Sequence, residues 1–475
     1  MVASDSSRIV YRVDDRPPLA RSVIYGFQHI FAMILGSITG GVVIGETIGL
    51  SPGQIGQLIG YINFAVGIAT ILQVSAGVKL PIIQGSTMGH VPAYLALGSV
   101  GVSLYADPTT TMQYLGGALL VGAILEAVFG FSNGLRLIRK TISPMVIGIV
   151  IAMVGLGLWP VVNDFIGDGW LYGIGVMMLV MLAYFAFGVM MKTMALFLAV
   201  IVAYAVAALG TAFGWISAGH PLFVDFASII ESSWITLPEL FPWGAPKFNL
   251  GFVFAMTIPY LATALESLGD YIAVADSSEV KTPPVKRLSR GIGVEGTAST
   301  ISAILGGTAS SSFSQNVGVV RMSGVASRYV CIVAGVLLLV IGVFGKLGVV
   351  LGGIPRVILG AVYLTAFGIL VMTGLRLILR ADINSSRNEI IIGTSLLLGL
   401  ALPAYMKENP IETGSAALQV FLNVFLATPM MVSGAWALIL DNLIPGSLKE
   451  RGMEGWLTAV EPDAGSGKSA QKEAA

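Results

Sequence analysis

Residues 309–324 read ASSSFSQNVGVVRMSG, and they gather five serines, a glutamine, an asparagine and an arginine inside a chain that is otherwise nearly all apolar. A second stretch, PIIQGSTMGHVPAY at 81–94, has a similar mixture of Ser, Gly, amide and β-branched residues. Both are too short and polar for an ordinary membrane helix. Each reads as a short strand followed by a half-helix. The fold turns on where this pair sits in the chain.

Around them the composition is that of a membrane protein. Of 475 residues, 55% are hydrophobic and 11% charged, against about a quarter charged in a soluble domain. The mean hydropathy is +0.85. Runs such as LYGIGVMMLVMLAYFAFGVM at 171–190 carry no charge over roughly the 20 residues a helix needs to cross a bilayer. The formal net charge is zero, which gives no reason to expect a nucleic-acid partner. The single cysteine, Cys331, lies in an apolar run without metal-ligand neighbours, so packing is its expected role. The polar first 20 residues lack the apolar core of a signal peptide.

Apolar runs predict fourteen spans, at 22–46, 53–76, 81–99, 112–132, 143–162, 169–190, 193–215, 251–276, 290–306, 309–326, 329–351, 355–378, 388–405 and 415–444. With both termini cytoplasmic, 21 Lys and Arg residues fall inside and four (Lys247, Lys346, Arg356 and Lys407) outside, with Arg321 within a segment. That bias is what the positive-inside rule requires. Residues 216–250 form an outer loop expected to cap the protein, and the tail from about 446 is polar and expected to be disordered at its end.

The two polar segments are the third and the tenth, each third in its half of seven. An odd number of spans per half makes the repeats inverted across the membrane. Paired interrupted segments at matching positions mark the midplane site of a transporter. Non-helical backbone is tolerated at that depth only where protein buries it or it lines a cavity. The expected fold is therefore an all-α polytopic membrane protein with a 7+7 inverted repeat and two short antiparallel strands in segments 3 and 10.

Charges within spans are costly and point to function. Segment 8, TALESLGDYIAVAD, places Glu266 and Asp270 at i and i+4 on one helical face. Two carboxylates so close cannot both ionise cheaply in a low dielectric, which suits a carrier that takes up a proton on one side and releases it on the other. Glu295 is a third buried acid, either a coupling residue or a helix-start partner for Arg290. In segment 1 the adjacent Gln28 and His29 face different ways, and His29 either pairs with a carboxylate or ties two helices together. His90 in segment 3 either lines the site or packs, while Glu46 and Glu126 near span ends are expected to snorkel to polar surroundings.

QNVGVVRMSG resembles the signature of the nucleobase–ascorbate transporters (nucleobase:cation symporters of the second type), Gln/Glu-Asn-x-Gly-x-x-x-x-Thr-Arg/Lys/Gly. Gln315, Asn316, Gly318 and Gly324 match, and Ser323 keeps the hydroxyl of the threonine. The following VASRYV is similar to the bacterial xanthine and uric acid permeases, and the QH of segment 1, the Glu-x-x-x-Asp of segment 8 and Glu295 fall where that family has functional polar residues. The resemblance covers about residues 20–440.

It implies a core domain from spans 1–4 (21–135) and 8–11 (251–353). It also implies a gate domain from spans 5–7 (136–250) and 12–14 (354–445) that supports a homodimer, with 1–20 and 446–475 cytoplasmic. Substrate would lie between the two strands. Glu266 and Gln315 would contact it, with Asn316 beside them and Gln84, Ser86, His90 and Gly318 lining the site. Asp270, His29 and Glu295 would serve coupling or gating. An amide at 315 both donates and accepts, which suits the mixed edge of xanthine or uric acid, whereas uracil carriers often have glutamate there. His90 and Met88 stand where many relatives have aromatic or small residues, so substrate choice can shift at that point.

The resulting expectation is proton-coupled symport of an oxidised purine across a bacterial inner membrane. H+ is preferred to Na+ as the coupling ion, because acids dominate the site, and no cofactor is implied. Uracil or another nucleobase is the alternative. An anion carrier of the same 7+7 fold, resembling sulfate transporters, would usually add a cytoplasmic domain for which this tail is too short. A passive channel would need no coupling carboxylates. No nucleotide-binding loop, metal cluster or nucleophile–base motif speaks for an enzyme.

Overall fold

The computed structural model describes residues 9–138, 141–186 and 194–454. The end of the tail, the last turn expected of the sixth segment, and Arg8, Arg139, Lys140, Lys192, Lys468 and Lys472 lie outside the described residues. The main elements are α1 (Leu19–Ile48), α2 (Pro52–Ser75), β1 (Gln84–Ser86), α3 (Val91–Tyr105), α4 (Pro108–Phe131), α5 (Pro144–Gly157), α6 (Trp170–Ala186) and α7 (Ala195–Ala212). They continue with α8 (Leu250–Ser277), α9 (Val285–Ile304), β2 (Ser310–Ser312), α10 (Gln315–Ser323), α11 (Arg328–Val343), α12 (Arg356–Ile378), α13 (Ser386–Glu408), α14 (Ala416–Ala427) and α15 (Pro429–Leu443).

Local chemistry sets the helix starts. Ser51 and Gln54 form a reciprocal capping box ahead of Pro52, so α2 begins there. Asp107 accepts from the Thr110 nitrogen at 2.8 Å to start α4, and Asn249 accepts from Gly251 at 2.9 Å to start α8.

Among the described residues eight helices are long and apolar enough to cross a membrane, and the pair α14–α15, bent by 84°, makes a ninth. The bend falls at Thr428–Pro429, where proline removes a helical donor and disfavours helix in the residue before it. The expected single span at 415–444 is therefore two helices. Helix α11 and the described part of α6 are apolar but shorter, α9 is more polar, and α3 and α10 are half-helices of 15 and nine residues, each following a three-residue strand.

A shift of seven segments maps the packing onto itself. Helix α2 packs on α11 as α9 packs on α4, α1 packs on α11 as α8 on α4, and α1 on α10 as α8 on α3. Helix α5 meets α13 as α12 meets α6, and α5 and α12 pack on each other. This is the inverted repeat, with the antiparallel strands at its centre.

Small residues bring the helices together. A Cβ at Gly296 on α9 would run into the backbone of Ala123 and Ala127 on α4. Gly296→Leu is expected to destabilise the protein by at least about 1–3 kcal/mol. Gly53→Leu, at an exposed position with no neighbour within 4 Å, is expected to change little. Thermal unfolding of both variants in one detergent checks this, and equal midpoints would contradict it.

Candidate functional site

The two strands pair antiparallel, Gln84 with Ser312, Gly85 with Ser311 and Ser86 with Ser310. Three-residue strands buried in a bundle leave many backbone groups to satisfy. Side chains from the surrounding helices do so. Thr70 Oγ1 accepts from the Gln84 nitrogen (3.1 Å), Tyr94 OH from Ala309 (2.8 Å) and Ser299 Oγ from Ser310 (3.1 Å). The seam continues through Thr87 N–H to Ala309 O and Phe313 N–H to Ile83 O, both 3.1 Å. This allows non-helical backbone to persist here.

The expected site residues fall into two groups. Most are bound into the scaffold. Gln84 Nε2 donates to Ser312 Oγ at 3.1 Å, and Ser86 Oγ lies 2.8 Å from Thr308 Oγ1. Glu295 is 1% exposed, and its Oε1 accepts from the Ser312 nitrogen (3.0 Å) and hydroxyl (2.5 Å) and from Gln73 Nε2 (3.5 Å). Gln73 also donates to Tyr271 OH at 2.5 Å. Glu295 therefore anchors β2 and makes no ion pair with Arg290. Asn316 Nδ2 donates to the His29 carbonyl (3.0 Å) and faces His29 Nδ1 at 2.9 Å, so this pair ties α10 to α1.

Helix α8 runs along the strand crossing. Ser267 Oγ accepts from the Ser312 nitrogen (3.3 Å), and Ser314 Oγ donates to Asp270 Oδ2 (3.0 Å). Glu266, one turn before Asp270, shares that face. Glu266, Asp270 and Glu295 lie within electrostatic reach of one another. The second group is small. Of the carboxylate and amide side chains at the crossing, only Glu266 and Gln315 are partly exposed and form no hydrogen bond with a described residue.

Gln315 opens on a narrow cavity of about 50 Å3 between α1, α10 and the β1–α3 turn on one side and α7 and α12 on the other. Phe31, Thr39, Met88, Phe313 and Tyr363 also line it. A cavity that admits a benzene ring is about 150 Å3. An aromatic ligand would enter only as α1 and α10 part from α12.

The remaining residues fall outside these two groups. His90 is fully buried away from this cavity, edge-on to Tyr260 with ring centroids 4.3 Å apart, and neither ring nitrogen has a hydrogen-bond partner among the described residues. Glu126 does not snorkel: it is 5% exposed, and its Oε2 has no partner among the described residues. Gly318 is uncrowded, since a Cβ there would meet only Met322 at 3.8 Å. Close approach is made instead at Gly85 on β1 and at Gly36 on α1, where a Cβ would reach Phe313 at 2.5 and 2.9 Å, and at Gly40 on α1, where it would reach Ser86 Oγ at 2.7 Å. Arg321 is exposed and pairs with Asp276 at 3.4 Å. Among the described residues no group of His, Cys, Asp and Glu is placed to hold a metal.

At the opposite end from most of the basic residues, Arg356 at the start of α12 joins two helices. Its Nε lies 3.3 Å from Glu46 Oε2 on α1, and its Nη2 lies 2.5 Å from Asp164 Oδ2 beyond α5.

The Permease family model (Xan_ur_permease) matches residues 20–408. The chain belongs to the nucleobase–ascorbate transporter family. Solute carrier family 23 member 2 of Homo sapiens is 30% identical to it, over 96% of this chain and 77% of that protein. Nucleobase-ascorbate transporter 2 of Arabidopsis thaliana is also 30% identical, over 94% of this chain and 90% of that protein. In solved structures the overall structure of SLC26A9 superposes with a TM-score of 0.57 at 12% identity, over 90% of this chain; the chain spans 65% of that structure's length. That likeness is one of fold. The chain is a multi-pass membrane transporter of the nucleobase–ascorbate family.

Proposed function

We propose that the protein is a proton-coupled symporter of an oxidised purine, xanthine or uric acid, working by alternating access. The observation that carries this reading is the pair Glu266 and Gln315: at a crossing where the other acids and amides are bound into the scaffold, these two are partly exposed and form no hydrogen bond with a described residue. A carboxylate accepts from ring N–H groups, and an amide both donates and accepts, which together fit an edge of alternating N–H and C=O. Keeping Glu266, Asp270 and Glu295 all charged inside the bundle is expensive, so binding a proton there lowers the cost. That ties proton uptake to substrate uptake.

In this reading α1–α4 and α8–α11 form the moving core, α5–α7 and α12–α15 the gate, and both termini are cytoplasmic. The Arg356 tie to Glu46 then spans core and gate at the outer side. Glu46→Gln is expected to favour outward opening by the weight of a half-exposed ion pair, about 0.2–1 kcal/mol or up to fivefold. Labelling of Thr39→Cys by an impermeant thiol reagent from outside should accelerate accordingly. Unchanged labelling would remove the tie from the cycle.

The binding step is tested on purified protein by thermal shift with xanthine, uric acid, uracil and sulfate. Stabilisation by one of the purines above the other solutes supports the reading. Stabilisation by sulfate alone would favour an anion carrier on the same fold.

A further inference from the structure

At the end of the bundle where most basic residues lie, an open cleft of about 340 Å3 separates the α2–β1 connection from the start of α9. Gly77, Lys79, Pro284, Lys286, Arg287 and Arg290 line it, so four of its six walls are cationic and none is acidic. Arg287 is fixed in place, its Nε and Nη2 donating to the Val78 and Lys79 carbonyls at 2.6 and 2.8 Å. Lys79 sits in left-handed backbone at φ 57°, an uncommon conformation for a lysine. Lys79, Lys286 and Arg290 make no ion pair with a described residue. Asp14, the acid that acts on Arg287, is already engaged by Arg328 at 2.7 Å.

This arrangement is costly as it stands. Four like charges around one cleft repel, and cations in the first turns of α9 oppose its dipole. Membrane orientation needs basic residues near the surface, but it does not need them to converge on a cavity. An anion in the cleft turns each of these costs into a gain. The volume is that of a small-ligand pocket, and arginine with lysine is the usual donor set for phosphate oxygens.

We propose that this cleft binds a phosphate-bearing anion, either the headgroup of an acidic phospholipid or a soluble phosphate. Its walls are the connection that follows α2 and the start of α9, and these two helices carry Gln73 and Glu295 into the polar network behind β2. An occupant therefore braces that helix pair from its basic end.

The test uses the full chain in nanodiscs, as wild type, as Lys286→Ala/Arg290→Ala and as the control Arg376→Ala/Arg380→Ala. All four positions are exposed, so the variants should fold, and equal unfolding midpoints in phosphatidylcholine confirm it. Native mass spectrometry after release from mixed phosphatidylglycerol and phosphatidylcholine reads lipid retention, and a titration with inorganic phosphate in phosphatidylcholine reads soluble binding. A preference for phosphatidylglycerol that falls about tenfold in the cleft variant but not in the control identifies a lipid site. Phosphate stabilisation lost in the cleft variant alone identifies a soluble ligand. If the cleft variant matches wild type in both assays, the proposal is overturned.

Discussion

Glu266→Gln is expected to abolish accumulation of the substrate. Glutamine keeps the size and one acceptor but adds a donor where the base presents an N–H, and it cannot take up a proton. Losing a hydrogen bond to a charged group costs about 1.5–3 kcal/mol, so apparent affinity should fall roughly 10- to 150-fold. Any remaining transport should no longer run uphill. Because Glu266 forms no hydrogen bond with a described residue, the variant should fold normally, which separates a lost ligand contact from a lost scaffold. Wild-type uptake by Glu266→Gln membranes would sink the assignment.

The second large effect is expected at Gln315. Gln315→Glu removes the only donor of that side chain and adds a further negative charge near Glu266 and Asp270. Purine affinity should fall about tenfold or more, and preference should move toward uracil. The measurement is competition by xanthine, uric acid and uracil against a labelled substrate. Unchanged inhibition constants for all three would take Gln315 out of the site.

Much of this architecture was legible in the residues. The mixture of β-branched residues, Ser and Gly in the two polar segments marked a short strand in each, and the structure places the strands at 84–86 and 310–312. The spacing of Glu266 and Asp270 put both on one face, where the structure has them. The bend at Pro429 carried a signal that a continuous hydropathy window overlooks.

What the sequence concealed was long-range. Glu295 reads either as a coupling residue or as a partner for the nearby Arg290, and its bonds run to Ser312 and to Gln73, 222 residues away. Nothing local announces such a contact. Glu126 lies near a span end by hydropathy, but α4 is pressed against α9 through Gly296, and Glu126 is only 5% exposed. His90 follows a strand that does border the site, and only the packing of Tyr260 against its ring shows it turned away. Likewise the signature glycine Gly318 has room to spare, while Gly85 on β1 and Gly36 and Gly40 on α1 are crowded.

The central claim is that protons drive an oxidised purine through the Glu266–Gln315 crossing. Its most direct test is uptake of labelled xanthine, uric acid and uracil by proteoliposomes under an imposed pH gradient and, separately, a Na+ gradient. The account predicts accumulation of one of the two purines when the outside is acidic, none with Na+ alone, and none in either condition with Glu266→Gln. Uptake indifferent to the pH gradient, or no uptake of any base by folded, reconstituted protein, would contradict it.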